Sequence, residues 1–316
     1  MNLNDPSFKE KASYALSKVK ITNNVDGTVD IEGNLDAFDY PFNYLPKIKT
    51  LHGSFFGYNN PHIVDLNGTP LIVDGDFYVH HCDNLIRLDG SPKAIRGNCF
   101  VNNNNSLKTL NKSNLISVQG NYFCNNNPML KSLIGAPKYV GGHFYCYECS
   151  SLRTLQGTPR HIKGNFNCNG CISLRNLNGP PCIIYGNFSC CGCVSLRNLE
   201  GTTEIVGGNY DCTWCSSLQS LSGPKVVAGT FNCSNNSSLQ SFIRAPVIVG
   251  VDFKCMHCNS LITLKGFSNK VGRNLDCTGC KSLITPNCFE DDIRVNDCIL
   301  YTVDGELQKY FTPTDK

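Results

Sequence analysis

The sequence predicts a mainly β solenoid of about eleven coils, with one parallel strand ladder, a short N-terminal helical cap and an irregular C-terminal cap. Three observations carry this reading. From Gly142 the chain falls into similar rows of about twenty-two residues: GHFYCYECSSLRTLQGTPRHIK, GNFNCNGCISLRNLNGPPCIIY, GNFSCCGCVSLRNLEGTTEIVG and GNYDCTWCSSLQSLSGPKVVA. The rows share the template Gly-x-Phe-x-Cys-x-x-Cys-x-Ser-Leu-x-x-Leu-x-Gly-x-Pro-x-x-Val/Ile. The aromatic position recurs at Phe55, Phe77, Cys99, Tyr122, Phe144, Phe166, Phe188, Tyr210, Phe231, Phe253 and Leu275, at steps of 22, 22, 23, 22, 22, 22, 22, 21, 22 and 22. A fixed period of this length is the signature of stacked repeats.

The elements follow in chain order. Asp5-Pro6 opens a helix, with Asp5 as N-cap and Pro6 in the first turn. Phe8, Ala12, Ala15, Leu16 and Val19 recur at helical spacing, so residues 1–20 form a cap for the open first coil. Residues 21–50 are worn repeats in which Val25, Val29 and Ile31 alternate as on a strand, and Pro41 and Pro46 break any helix. Regular repeats occupy 51–283. Within one coil, Phe144 and Cys146 are two apart and face the same way, while Tyr145 faces the other. Leu152, Leu155 and Val140 are further inward anchors, and Gly157 and Pro159 make a corner. No coil has an isolated core; stacking at about 4.8 Å per coil merges the inward groups into one. Beyond Leu283 the pattern fails, and residues 284–316 read as a C-terminal cap that blocks end-to-end pairing.

Twenty cysteines in 316 residues need a reason. The opening MNLNDPSFKEK has no apolar signal core, so no secretory signal peptide is expected. No run of about 18 apolar residues is present, so no membrane helix is expected. The setting is then intracellular, with reduced thiols. Six repeats carry Cys-x-x-Cys: Cys146/Cys149, Cys168/Cys171, Cys190/Cys193, Cys212/Cys215, Cys255/Cys258 and Cys277/Cys280. Such pairs can bind zinc. Their substitutions favour packing: Val79 and Val101 replace the first Cys, and Asn104, Asn127 and Asn236 replace the second. Valine indicates a small buried hydrophobe, and asparagine a hydrogen bond to loop backbone. No metal ligand and no cofactor is expected.

The template Phe-x-Cys-x-x-Asn/Cys-x-x-Leu-x-x-Leu resembles leucine-rich repeats, whose strand also ends on Asn or Cys. Cys149 to Leu155, Cys171 to Leu177 and Cys193 to Leu199 are similar to the BspA-type bacterial branch. The Gly-Asn-Phe-x-Cys opening at Gly164 to Cys168 and Gly186 to Cys190 resembles a repeat of phage and large DNA virus proteins. The likeness covers roughly residues 51–285 and departs in one respect: Leu follows the Asn/Cys position by three residues rather than two. It implies protein–protein recognition without catalysis, in host cytoplasm or virion.

Three sets of residues are candidates for that recognition. The residue before each anchor is polar, chiefly Asn, and reads first as a coil-to-coil amide ladder. The two residues between the paired Cys positions vary most. Among them Trp214, Tyr147, Met256 and His257 are candidate anchors for a protein partner. After the first Leu of five successive repeats comes a basic column, Lys108, Lys131, Arg153, Arg175 and Arg197, which turns neutral at Gln219 and Gln240. Stacked like charges repel, and an acidic or phosphate-bearing partner would relieve that; the plain alternative is a solvated face. With a net charge of +3 and 17% charged residues, no global field draws the chain to nucleic acid or membrane. The seven histidines are scattered, and no catalytic motif is present, so the chain is not expected to be an enzyme. The leading expectation is a non-enzymatic interaction scaffold. The alternatives are a structural virion component seated among coat proteins, and a polyanion or nucleic-acid binder using the basic column.

Overall fold

The computed structural model describes residues 5–179, 183–267 and 270–283, and the backbone of three further short strands. The chain forms two compact units, residues 1–152 with 156–163, and residues 153–155 with 164–316. Both are built as parallel β-solenoid, and the protein is mainly β.

The first unit opens with the helix Pro6–Ser17, whose N-cap Asp5 accepts from the Ser7 N–H at 2.9 Å. Its buried face is Phe8, Ala12 and Ala15, and Phe8 meets Tyr44 and His62 with ring centroids 5.9 and 4.7 Å away. Strands Lys20–Asn23 and Val29–Glu32 then pair antiparallel. Val29 and Ile31 point inward, but Val25 lies in the turn and is fully exposed, so the expected three-residue alternation holds for two. Pro41 ends in a single 3-10 turn, Phe42–Tyr44, which needs no proline N–H.

The solenoid differs from expectation in one respect. Each coil contributes two short strands, so pairing runs in two parallel ladders rather than one. In the first unit, Ile72–Val73 pairs with Ala94–Ile95, and Phe77–Tyr78 pairs with Cys99–Phe100. The cause lies between the strands. Gly53, Gly75, Gly97, Gly120 and Gly142 stack at a corner, and from Gly75 onward each N–H donates to the glycine carbonyl one coil back at 2.9–3.0 Å. A Cβ at Gly75 would come within 2.7 Å of the Gly53 carbonyl. Glycine permits this close approach in the first unit, and the bend there divides one long strand into two; in the second unit Val251 and Arg273 take the same corner, their N–H groups donating to Gly229 O and Val251 O at 3.2 and 2.8 Å.

The second unit repeats the design. Ile183–Ile184, Ile205–Val206, Val226–Val227, Ile248–Val249 and Lys270–Val271 form one ladder, with the anchor strands from Phe166–Asn167 to Leu275–Asp276 forming the other. The two irregular steps leave the register intact: Cys99 pairs with Tyr122 across 23 residues, and Tyr210 with Phe231 across 21. The extra and missing residues fall in the loop after the second Leu of the coil.

The core of each unit is the inward stack. Phe55 and Phe77 lie 5.2 Å apart in the first unit; Phe166, Phe188, Tyr210, Phe231 and Phe253 follow at 5.4, 4.7, 5.3 and 5.1 Å in the second. Burial of one such ring contributes roughly 1.5–3 kcal/mol, and stacking adds about 0.5–1.5 kcal/mol. The expected C-terminal cap lies outside the described residues, except for backbone strands. Arg294–Val295 continues the ladder from Lys270–Val271, and Ile299–Tyr301 pairs antiparallel with Leu307–Lys309.

Candidate recognition surfaces

The paired Cys positions prove to be structural, by a mechanism that Cys and Asn share. The Sγ of Cys82, Cys149, Cys193, Cys215, Cys258 and Cys280 donates to the carbonyl 25 residues earlier, at 3.0–3.3 Å. Where Asn stands instead, its amide donates to the matching carbonyl and to a second one. Asn104 reaches Val79 O at 3.0 Å and Val101 O at 2.9 Å, and its Oδ1 accepts from Cys82 N at 2.8 Å. Asn236 reaches Cys212 O and Cys233 O. Both side chains therefore donate to the same loop carbonyl. Burial pushes the thiols of Cys82 and Cys149 up to about 12. Among the described cysteines, Cys191 alone is not buried, and Thr213 Oγ1 donates to it at 3.1 Å.

The polar column before the anchors is structural too, though not by amide-to-amide pairing. Each side-chain oxygen accepts the backbone N–H of its counterpart one coil on. Asn98, Asn121 and His143 donate in turn to Asp76, Asn98 and Asn121 at 2.6, 2.8 and 2.7 Å. In the second unit Asn187, Asn209 and Thr230 donate to Asn165, Asn187 and Asn209.

The variable pair between the Cys positions occupies a fixed backbone site. Its second residue is left-handed in every described coil from that of Phe55 onward: Asn59, His81, Asn103, Asn126 and Glu148 in the first unit, and Gly170, Gly192, Trp214, Asn235, His257 and Gly279 in the second. Glycine and asparagine tolerate this conformation; Trp214, at φ +61, does so at roughly 1–2 kcal/mol. Trp214 is 61% exposed and shares its column with His257, two coils on. Met256 is half-buried, its N–H bonded to Ser234 Oγ at 3.0 Å. Tyr147, in the first unit, is half-buried with its ring 6.4 Å from Tyr145.

The basic column is exposed at every position, and none of its members forms an ion pair among the described residues. Lys108 and Lys131 belong to the first unit. Arg153, Arg175 and Arg197 belong to the second, where Arg175 N donates to Arg153 O and Gln219 N to Arg197 O. Exposed aliphatic side chains run beside it: Met129 near Lys131, and Ile172 and Val194 three residues before Arg175 and Arg197.

Sequence reasoning missed one surface. The residue after the anchor in the first unit is Phe56, Tyr78, Phe100, Phe123 and Tyr145. These outward rings stack coil on coil at 5.2, 4.6, 4.7 and 5.2 Å. Beside them Phe38, Tyr58 and His80 make a second, shorter row at 6.2 and 5.3 Å. The signal was available, as an aromatic residue repeating directly after each anchor from Phe56 to Tyr145.

No protein-family model and no curated protein matches the chain. Among solved structures, the chain is similar to a leucine-rich repeat protein from Bacteroides ovatus, with 15% identity, 89% of each chain covered and a TM-score of 0.35. No helix among the described residues is long and apolar enough to cross a membrane.

Proposed function

We propose that the chain is a non-enzymatic scaffold that binds an acidic, partly apolar segment of a protein partner. The observation that carries this is the strip in the second unit where exposed, unpaired Arg153, Arg175 and Arg197 run beside exposed Ile172 and Val194. Neighbouring guanidinium groups at about 5 Å repel by on the order of 1 kcal/mol in water. Carboxylates on a partner remove that repulsion and form bidentate pairs, while its apolar side chains cover the aliphatic column. Trp214, on the left-handed register of the same unit, supplies a large exposed ring as an anchor.

The same guanidinium column supports a second reading, binding of a phosphate-bearing polymer. Phosphate contacts would make such binding fall steeply with salt. The Gly-Asn-Phe-x-Cys opening supports a phage or large-virus source, with host cytoplasm or virion as the setting, and coat proteins among the partners.

One measurement separates the readings. A synthetic peptide alternating Glu with Leu and an oligothymidylate of equal charge are titrated onto the chain across a salt series. The protein reading expects saturable peptide binding, weakened when Arg153, Arg175 and Arg197 are all changed to Gln, and little oligonucleotide binding. The reverse preference favours the polymer. Binding of neither, at any salt, removes the basic column as a recognition surface.

A further inference from the structure

His80 and His81 occupy the variable pair of one coil in the first unit. His81 takes the left-handed backbone, at φ +56, and this brings its ring across its neighbour's. The two Nδ1 atoms lie 3.1 Å apart with the rings nearly perpendicular, at 78°. His80 is held in place by stacking on Tyr58, 5.3 Å away at 8°. His81 is exposed, so the pair can be reached from solvent.

As neutral rings the two can share only one N–H···N hydrogen bond, with one Nδ1 protonated and the other accepting. A metal ion is a better occupant of the gap. Two metal–nitrogen bonds of about 2.0–2.1 Å spanning 3.1 Å meet at roughly 100°, between the octahedral and tetrahedral angles. Binding needs no net proton loss: the proton on one Nδ1 moves to Nε2, where it faces away from the ion. One coil on, in the register of His80, stands Asn102, whose enclosed Oδ1 has no hydrogen-bond partner; Asn125 repeats this one coil further. The column thus carries oxygen acceptors that the fold leaves unspent.

We propose that His80 and His81 form a surface chelate for a divalent transition ion of the Ni2+, Cu2+ and Zn2+ class, the ions that imidazole suits. Among the described residues no three His, Cys, Asp or Glu side chains converge, so water completes the coordination shell. Such a site exchanges its ion readily, and its open positions can accept a donor from a bound partner.

The test is calorimetric titration of the intact reduced chain with Ni2+, chosen because cupric ion oxidises thiols. The expected result is one saturable equivalent. His80→Asn and His81→Asn place at each position the residue that the next coil carries there, so both variants fold. Each is expected to weaken Ni2+ binding at least about ten-fold, whereas His161→Gln leaves it unchanged. The chelate is overturned if Ni2+ does not saturate one site, if both Asn variants bind like the parent, or if only one of them loses affinity.

Discussion

The outward position after each anchor is solved in two different ways. In the first unit it is aromatic, and Phe56, Tyr78, Phe100, Phe123 and Tyr145 stack ring on ring. In the second unit the same register holds Asn167, Ser189, Asp211, Asn232, Lys254 and Asp276. There Asn167, Asp211, Asn232 and Asp276 turn their oxygen back onto the N–H two residues on, at 2.9–3.1 Å. One unit stabilises the register between coils, and the other within each loop. The inward position shows no such divergence, because a dry axis accepts few side chains. What this teaches is that packing sets the inward register in both units and leaves the outward one free to differ.

The comparison can be broken most directly from inside. Phe77→Ala and Phe188→Ala each empty an inward ring position, and each is expected to cost about 3–5 kcal/mol by denaturant unfolding. A large loss in one unit alone would show that the inward stacks are not equivalent. Next comes Asn104→Ala, which strands the Val79 carbonyl and the Cys82 N–H, while Val101 O keeps its bond from Asn127; a loss of roughly 2–3 kcal/mol is expected. Asn104→Cys restores one of those bonds and should recover part of the loss. Outward changes are smaller. Phe100→Ala removes stacking on two neighbours and should cost about 1–2 kcal/mol, whereas Asp211→Ala breaks one loop bond and should cost about 0.5–1.5 kcal/mol. Lys254→Ser, which touches neither device, should stay within roughly 0.5 kcal/mol. One change is expected to be a gain: Tyr122 carries a buried hydroxyl with no partner, so Tyr122→Phe should raise stability by about 1 kcal/mol.

Alkaline pH tests the buried thiols. Burial raises Cys82 and Cys149 from 9.0 to about 12, so the folded chain keeps protons that the unfolded chain releases. Stability should be level below pH 9 and fall as pH rises toward 12, as read by denaturant midpoints across that range. A flat profile would mean that these thiols are not enclosed in solution.

Much of the fold was legible because it rests on short-range periodicity. Phe166, Cys168 and Leu174 could be placed inward from spacing alone, and all three are fully buried. Asn104, where other coils carry Cys, was legible as a hydrogen bond to loop backbone, whereas the thiols read as packing and the matching bond they donate did not show in the sequence. The polar column before the anchors was legible as structural, but the bond it makes was not, since whether a side chain reaches an amide or a backbone N–H depends on the distance between coils. The candidate surfaces were legible only as lists of residues. The left-handed backbone beneath Trp214 and the 3.1 Å approach of His80 to His81 could not be read from spacing.

The sequence by itself determined the repeat, the identity of the inward anchors and the backbone-bonding duty of asparagine at the strand's end. Each follows from one coil needing a dry side and a satisfied loop, which its own twenty-odd residues specify. Only the tertiary structure decided that each coil bends into two strands, that the outward rings of the first unit touch, and that two adjacent imidazoles point at one spot. Those outcomes depend on how closely successive coils approach and how each loop turns, and that geometry exists only once the coils are stacked.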